Sequence, residues 1–222
     1  MNTYEIQFAW FFVSSEETDY ESLVSDIRKA SSKKYLSPAT YMPLPLSAQA
    51  ELPRVQLLSI DQKTRINISL NRMDIFISAA NTSLETSEIS DFYTEIDRLS
   101  AFISKEKTIQ RLGIVYRQYV KNADPEKHLS ERLLSKDKVY KNLNEVAVKI
   151  TERKNDGDIE FNDTYYFESG IHVVTGEKII VIMRDVNTPQ EITNRLSYEK
   201  IYEFIAIGKK QNTEDNINVF IG

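Results

Sequence analysis

The sequence predicts an α+β fold: a ferredoxin-like βαββαβ N-terminal half with an antiparallel sheet, extended by a C-terminal β-meander and a closing helix. Three observations lead there. Period-two runs occur at residues 4–13, 55–60, 65–70 and 110–120, helical periods fall between the first and second and between the third and fourth, and turn signals follow one another from residue 155 to residue 176. Under the right-handed crossover rule, the βαββαβ order places both helices on one face of an antiparallel sheet. The 222 residues suffice for one α+β domain over 1–222, also readable as two intimately packed subdomains, 1–122 and 123–222.

In the first strand, Tyr4, Ile6, Phe8, Trp10 and Phe12 alternate with Glu5, Gln7 and Ala9, while Phe11 and Val13 make its far end apolar on both sides, as a central strand requires. Thr18 or Asp19 then caps a helix carrying Leu23, Ile27 and Ala30, which should stop near Lys34. Residues 37–53 hold four of the six prolines, so they form neither helix nor interior strand. This long loop, apolar at Tyr41-Met42-Pro43-Leu44-Pro45-Leu46, is read as a cover over core in preference to a lid. Residues 55–60 and 65–70 form a hairpin across Asp61-Gln62-Lys63-Thr64, and residues 74–78 continue its second strand through a bend near Asn71-Arg72. Ile89, Phe92, Ile96, Leu99 and Ile103 define the clearest helical stripe, with Glu88, Asp91, Glu95 and Asp97 off it.

The second half opens with a helical or irregular stretch near residues 130–141. Strands 146–153, 159–168, 171–174 and 178–184 are then separated by turns at 155–157, Ser169-Gly170 and Thr175-Gly176. Thr188-Pro189-Gln190-Glu191 is a capping box that opens a helix through Ile192, Leu196, Ile201 and Ile205, ended by Gly208. The last dozen residues read as an edge strand or a loose tail.

Composition excludes several chemistries. The chain has 41% hydrophobic and 27% charged residues, without low-complexity bias. It has no cysteine, hence no disulfide and no thiolate metal site, and with two histidines a tight zinc or copper centre is not expected. The N-terminus lacks a signal-peptide pattern and no apolar run approaches a membrane span, so a cytoplasmic protein is expected, and Asn67-Ile68-Ser69, Asn81-Thr82-Ser83 and Asn162-Asp163-Thr164 are discounted as glycosylation sites. His128 in the polar loop 124–128 and His172 in a short strand beside a turn have no partners in a catalytic motif. Asp156-Gly157-Asp158-Ile159-Glu160 and Asp185-Val186-Asn187 with Glu191 fail the calcium-loop pattern and read as a hairpin turn and a helix cap. Gly170 and Gly176-Glu177-Lys178 fail the phosphate-loop spacing, and six glycines leave no dinucleotide fingerprint. No cofactor is expected.

The net charge of −5 is unevenly spread: residues 111–154 hold 11 Lys+Arg against 6 Asp+Glu, between two acidic flanks. Arg111, Gly113, Val115, Arg117 and Tyr119 share one face of the 110–120 strand by alternation. Arg111, Arg117, Tyr119 and Lys121 are therefore candidate nucleic-acid contacts, although the strand at 66–70 lacks the aromatics of an RNA-recognition module.

Arg111-Leu112-Gly113-Ile114-Val115-Tyr116 resembles the central strand of a sporadically distributed prokaryotic family of proteins of unknown function, which carries an Arg-x-Gly-x-Arg-Tyr-x-Asn pattern. Arg184-Asp185-Val186-Asn187-Thr188 before a long helix is similar too. This chain departs from the pattern at Val115, where the family often has arginine, and at Gln118, where it has asparagine. The resemblance implies a bacterial or phage setting, with mobile elements or defence, and carries over no site residue. The function expected is non-enzymatic macromolecular binding, with a protein as partner and a homodimer left open. The alternatives are a nucleic-acid-binding module using residues 111–154 and a hydrolase-type enzyme using carboxylates alone.

Overall fold

A computed structural model describes every residue except 14–17, 46, 80–82, 135–142, 191–194 and 212–213, together with the side chains of 214 and 215. Fourteen elements follow in chain order: β1 (Asn2–Phe12), α1 (Tyr20–Ala30), β2 (Thr40–Tyr41), β3 (Val55–Leu58), β4 (Thr64–Ile68), β5 (Arg72–Ser78), α2 (Thr86–Glu106), β6 (Ile109–Lys121), α3 (Pro125–Leu133), β7 (Ala147–Asp156), β8 (Ile159–Ile171), β9 (Lys178–Asn187), α4 (Tyr198–Gln211) and α5 (Glu214–Ile221). The strands make one antiparallel nine-stranded sheet in the order β2-β3-β4-β5-β1-β6-β9-β8-β7. The molecule is thus α+β, built on a large antiparallel sheet.

The register explains where the core sits. Ile6, Phe8 and Trp10 of β1 stand beside Tyr116, Ile114 and Leu112 of β6 on one face. That face is packed by Val24 and Ile27 of α1, Phe92, Ile96, Leu99 and Ile103 of α2, and Ile201, Phe204 and Ile205 of α4. On the same face further along, Tyr165, Phe167, Ile180 and Ile182 meet Leu129 of α3 with Ile217 and Ile221 of α5. The five helices among the described residues therefore cover a single side. The only tryptophan, Trp10, is fully buried and its indole N–H donates to Ser100 Oγ of α2 at 3.0 Å, satisfying the one polar atom a buried tryptophan brings.

Several elements differ from the sequence expectation, each for a local reason. Residues 72–78 do not continue the preceding strand: Ser69 bonds the Arg72 carbonyl through both its amide and its hydroxyl, a tight turn that makes β5 a separate strand between β4 and β1. Three full strands therefore lie between α1 and α2, with the two-residue β2 before them. Ser169-Gly170 makes no turn, because Gly170 stays in the ladder opposite Ile179 and β8 runs straight to Ile171. His172 accordingly lies in the turn to β9, which Gly176 closes with φ of 69°.

The segment around His128 is helix α3, opened by Asp124 as N-cap with Pro125 in the first turn. Thr188 caps no helix within the described residues: its hydroxyl accepts the Leu112 amide, pinning β9 to β6. The 191–194 part of the expected helix lies outside the described residues, and α4 begins at Tyr198. Gly208 does not end α4 but sits inside it at the closest approach to β6, where an added Cβ would stand 3.2 Å from Ile114 Cγ2 and where its carbonyl accepts the Tyr116 hydroxyl. The C-terminal segment is helix α5, held by Ile217 and Ile221 in the core and by His128 Nε2 against the Ile221 carbonyl at 2.8 Å.

Candidate sheet-face site

The other face of the sheet bears no helix among the described residues, and its side chains line up in rows fixed by the register. One row runs Arg72–Phe11–Arg111, the next Asn67–Asp74–Ala9–Gly113–Asn187–Asn162, and the next Arg65–Phe76–Gln7–Val115–Asp185–Thr164. Ser78–Glu5–Arg117–Met183–Tyr166 follows. Each row crosses at least three strands, so side chains far apart in sequence become neighbours at about 5 Å spacing.

Two hydrogen-bonded networks result. In one, Arg72 grips Asp74 Oδ1 with Nη2 at 2.6 Å and Nε at 2.8 Å. Gln7 donates to the same oxygen at 2.9 Å, and Gln7 Oε1 accepts from Arg117, which pairs with Glu5 at 2.6 Å. In the other, Arg111 donates from Nε to the Thr188 carbonyl at 3.0 Å and from Nη2 to Asn187 Oδ1 at 3.1 Å. Asn162 donates to that same oxygen, while Asn187 donates to Asp185 at 3.0 Å. The networks meet at Phe11, whose ring carries the Arg72 guanidinium at 4.6 Å and that of Arg111 at 4.9 Å.

Between them the row of Asp74 and Asn187 dips, because Ala9 and its cross-strand partner Gly113 are the smallest residues in it. The dip is a cavity of about 480 Å³ lined by Gln7, Ala9, Phe11, Arg72, Arg111, Gly113, Val115, Asp185 and Asn187, together with Glu51 and Gln190. Burial pushes the Asp74 carboxyl up, against the pull of Arg72 and the hydrogen bonds from Arg72 and Gln7.

The four residues expected to contact nucleic acid, Arg111, Arg117, Tyr119 and Lys121, do share this face, but they are not one cluster. Arg111 is built into the cavity, and Arg117 is spent on Glu5. Tyr119 lies near Tyr4 and the His172 ring, 5.1 Å away, and Lys121 pairs with Glu177 at 2.8 Å. Asp185-Val186-Asn187 lies in β9, with Asp185 and Asn187 on the open face, so the helix-cap reading is corrected. Phe11, Arg72 and Gln7 went unread as site residues because strand alternation puts them on a face but cannot say which strand lies alongside. Among the described residues no cluster of three or more histidine, aspartate or glutamate side chains could hold a metal ion, and no helix is long and apolar enough to cross a membrane.

No known protein family matches the sequence, and no curated protein is similar to it.

Proposed function

We propose that the protein is a non-enzymatic binding module that holds another protein on the open face of its sheet. The supporting observation is one-sidedness: the five helices among the described residues pack on one face, while the other carries two connected polar networks around a cavity, with Gln7 and Asn187 each only 7% exposed. Solvated faces of antiparallel sheets with cross-strand polar pairs are ordinary, but here two such networks surround a cavity and their central amides are nearly buried. Order of this kind is the preorganisation that lowers the cost of binding.

Charge favours a protein ligand over nucleic acid. Arg72, Arg117 and Lys121 are each closed on a carboxylate, Glu160, Glu168 and Asp185 share the face with them, and the cations without a carboxylate partner among the described residues, Arg65, Arg111 and Lys149, stand apart on β4, β6 and β7, whereas phosphate binding needs several free cations together. Phe11 is flanked by guanidiniums, which leaves its ring unavailable to a base. On the same reading, β4-β5-β1-β6 with α1 and α2 form the ferredoxin-like unit, β3 and β2 being added at its edge. Gly113 and Asn187, from the two segments that resemble the sporadic prokaryotic family, are partners in the ladder, in keeping with a bacterial or phage regulatory, defence or anti-defence role.

A photo-crosslinking amino acid at Val115 on the open face, with Tyr202 of α4 as the exposed control, tests this in lysate of the source organism. Val115 should give discrete protein adducts that Tyr202 does not. Adducts to nucleic acid alone, or the same products from both positions, would overturn the proposal.

A further inference from the structure

We infer that the cavity over Ala9 and Gly113 is a carboxylate-binding pocket with Arg111 as its anchor. The inference deepens the reading of the open face and names the chemical group that the face would take from a partner. It begins with a glycine that the fold does not require. Gly113 lies mid-strand without a positive φ, and an added Cβ would meet Asn187 Cβ at 3.7 Å and Phe11 Cε2 at 3.8 Å, ordinary contact distances. Glycine in a strand interior costs stability relative to alanine, so its presence where alanine fits leaves open space as its effect.

Arg111 stands over that space. Its Nε is fixed by the Thr188 carbonyl and its Nη2 by Asn187 Oδ1, and the guanidinium plane rests on Phe11. Unlike Arg72 and Arg117, it has no carboxylate partner among the described residues. A guanidinium held by neutral acceptors against an aromatic ring keeps its remaining N–H groups and its whole charge for a ligand, in the fork geometry that suits a planar carboxylate. The Asp185 and Glu51 carboxylates in the same lining disfavour a doubly charged phosphate and offer acceptors to the N–H groups of a polypeptide beside the bound acid.

The carboxylate could come from an acidic side chain or from a chain terminus, and the probes separate the two. Two-dimensional NMR of the intact protein would follow the Arg111 Nε–H and Gly113 amide signals. The titrants are N-acetylglutamate α-amide for the side-chain acid, N-acetylalanine for the terminus, inorganic phosphate, and an oligothymidylate. One or both carboxylates should shift the two signals saturably, with phosphate at least tenfold weaker. Arg111→Met should abolish the Gly113 shift. Gly113→Ala should raise the melting temperature while weakening the carboxylate at least tenfold, a pairing that a purely structural glycine would not produce.

Shifts that survive in Arg111→Met, a Gly113→Ala variant that binds as well as the parent, or a response to phosphate or oligothymidylate alone would overturn the assignment. So would silence toward every titrant. Protein crosslinks from Val115 that persist in Arg111→Met would leave the binding face standing while removing the carboxylate pocket from it.

Discussion

Arg184 is 1% exposed and Asp163 is 0% exposed, and between them they occupy the seam where the two apolar clusters of the helix-covered face meet. Arg184 donates Nε to Asp163 Oδ1 at 2.8 Å and Nη2 to Oδ2 at 2.7 Å. Its remaining reach goes to the Gln211 backbone and side-chain oxygens at the C-terminal end of α4, where the helix dipole welcomes a cation. Burial alone would raise the Asp163 carboxyl, yet the hydrogen bonds from Arg184 and Lys154 outweigh it and hold it below the usual range. A folded pKa below the unfolded value of about 3.9 means that the stabilisation is whole above that value and is lost as pH falls through the folded pKa. Asp74 and Glu95 shift upward by burial, so their contributions run the other way and blur the raw acid profile. A comparison isolates the pair. Arg184→Met leaves a buried carboxylate with only Lys154 and the Tyr165 hydroxyl and should cost about 3–5 kcal/mol in urea unfolding at pH 7, while Arg184→Met with Asp163→Leu should recover most of it and flatten the acid limb. A single-variant cost below about 1 kcal/mol would show that the pair is not closed in solution.

At the scale of elements, the sheet's two edges decide whether the chain stays single. One edge is β2, just two residues long and set among Pro38, Pro43 and Pro45. The other is β7, ten residues long and mostly exposed, which would template a further strand were it not for its charges. Two copies pairing antiparallel about an axis normal to the sheet bring same-face residues opposite one another. Centred on Thr151, that register sets Lys149 against Arg153; centred on Glu152 or Arg153, it sets that residue against itself. The registers centred on Thr151, Glu152 and Arg153 thus each oppose like charges. Lys149→Val with Arg153→Val should therefore turn a species monomeric through this edge into a concentration-dependent dimer in sedimentation. A parent protein that already crosslinks β7 to β7 through a cysteine placed at Thr151 would refute this.

The strongly periodic elements were the legible ones: β1, α2 and β6 each turn one apolar stripe to the core, with Ile89 at the start of the α2 stripe half-buried, and periodicity reports such one-sided burial. The short elements were not. α3 and α5 each bury few residues, and their apolar positions, Leu129 in one and Ile217 and Ile221 in the other, are too sparse to show a period until a neighbouring helix packs against them. Glu95 was read as off the apolar stripe of α2 yet is 3% exposed, because α1 and the Tyr35 side bury a flank that the α2 sequence alone leaves polar.

For the whole molecule the candidate site was half legible. Alternation along β6 assigned Arg111, Gly113 and Arg117 to one face, but the neighbours that give them meaning, Phe11 and Arg72 on one side and Asn187 on the other, are set by strand order, which is a long-range choice. The same strand order bears on whether residues 1–122 and 123–222 behave as one body. β6 pairs with β1 along one edge and with β9 along the other, the latter over nine residue pairs from Gly113–Asn187 to Lys121–Ile179, so the two halves are joined by a backbone ladder and not merely by side-chain packing. A shared ladder makes opening of the second half expose the β6 edge of the first, and the two should unfold together. Trp10 reports the first cluster by fluorescence, and Phe167→Trp in a Trp10→Phe background reports the second. The two denaturation curves, each corrected to its own variant's midpoint by circular dichroism, should coincide. They should still coincide in Arg184→Met, which loosens the seam without touching the β6–β9 backbone ladder. Curves that part in the parent would mean that the polar seam, and not the ladder, marks the limit of cooperativity, and that the open face can hinge where Gly113 meets Asn187.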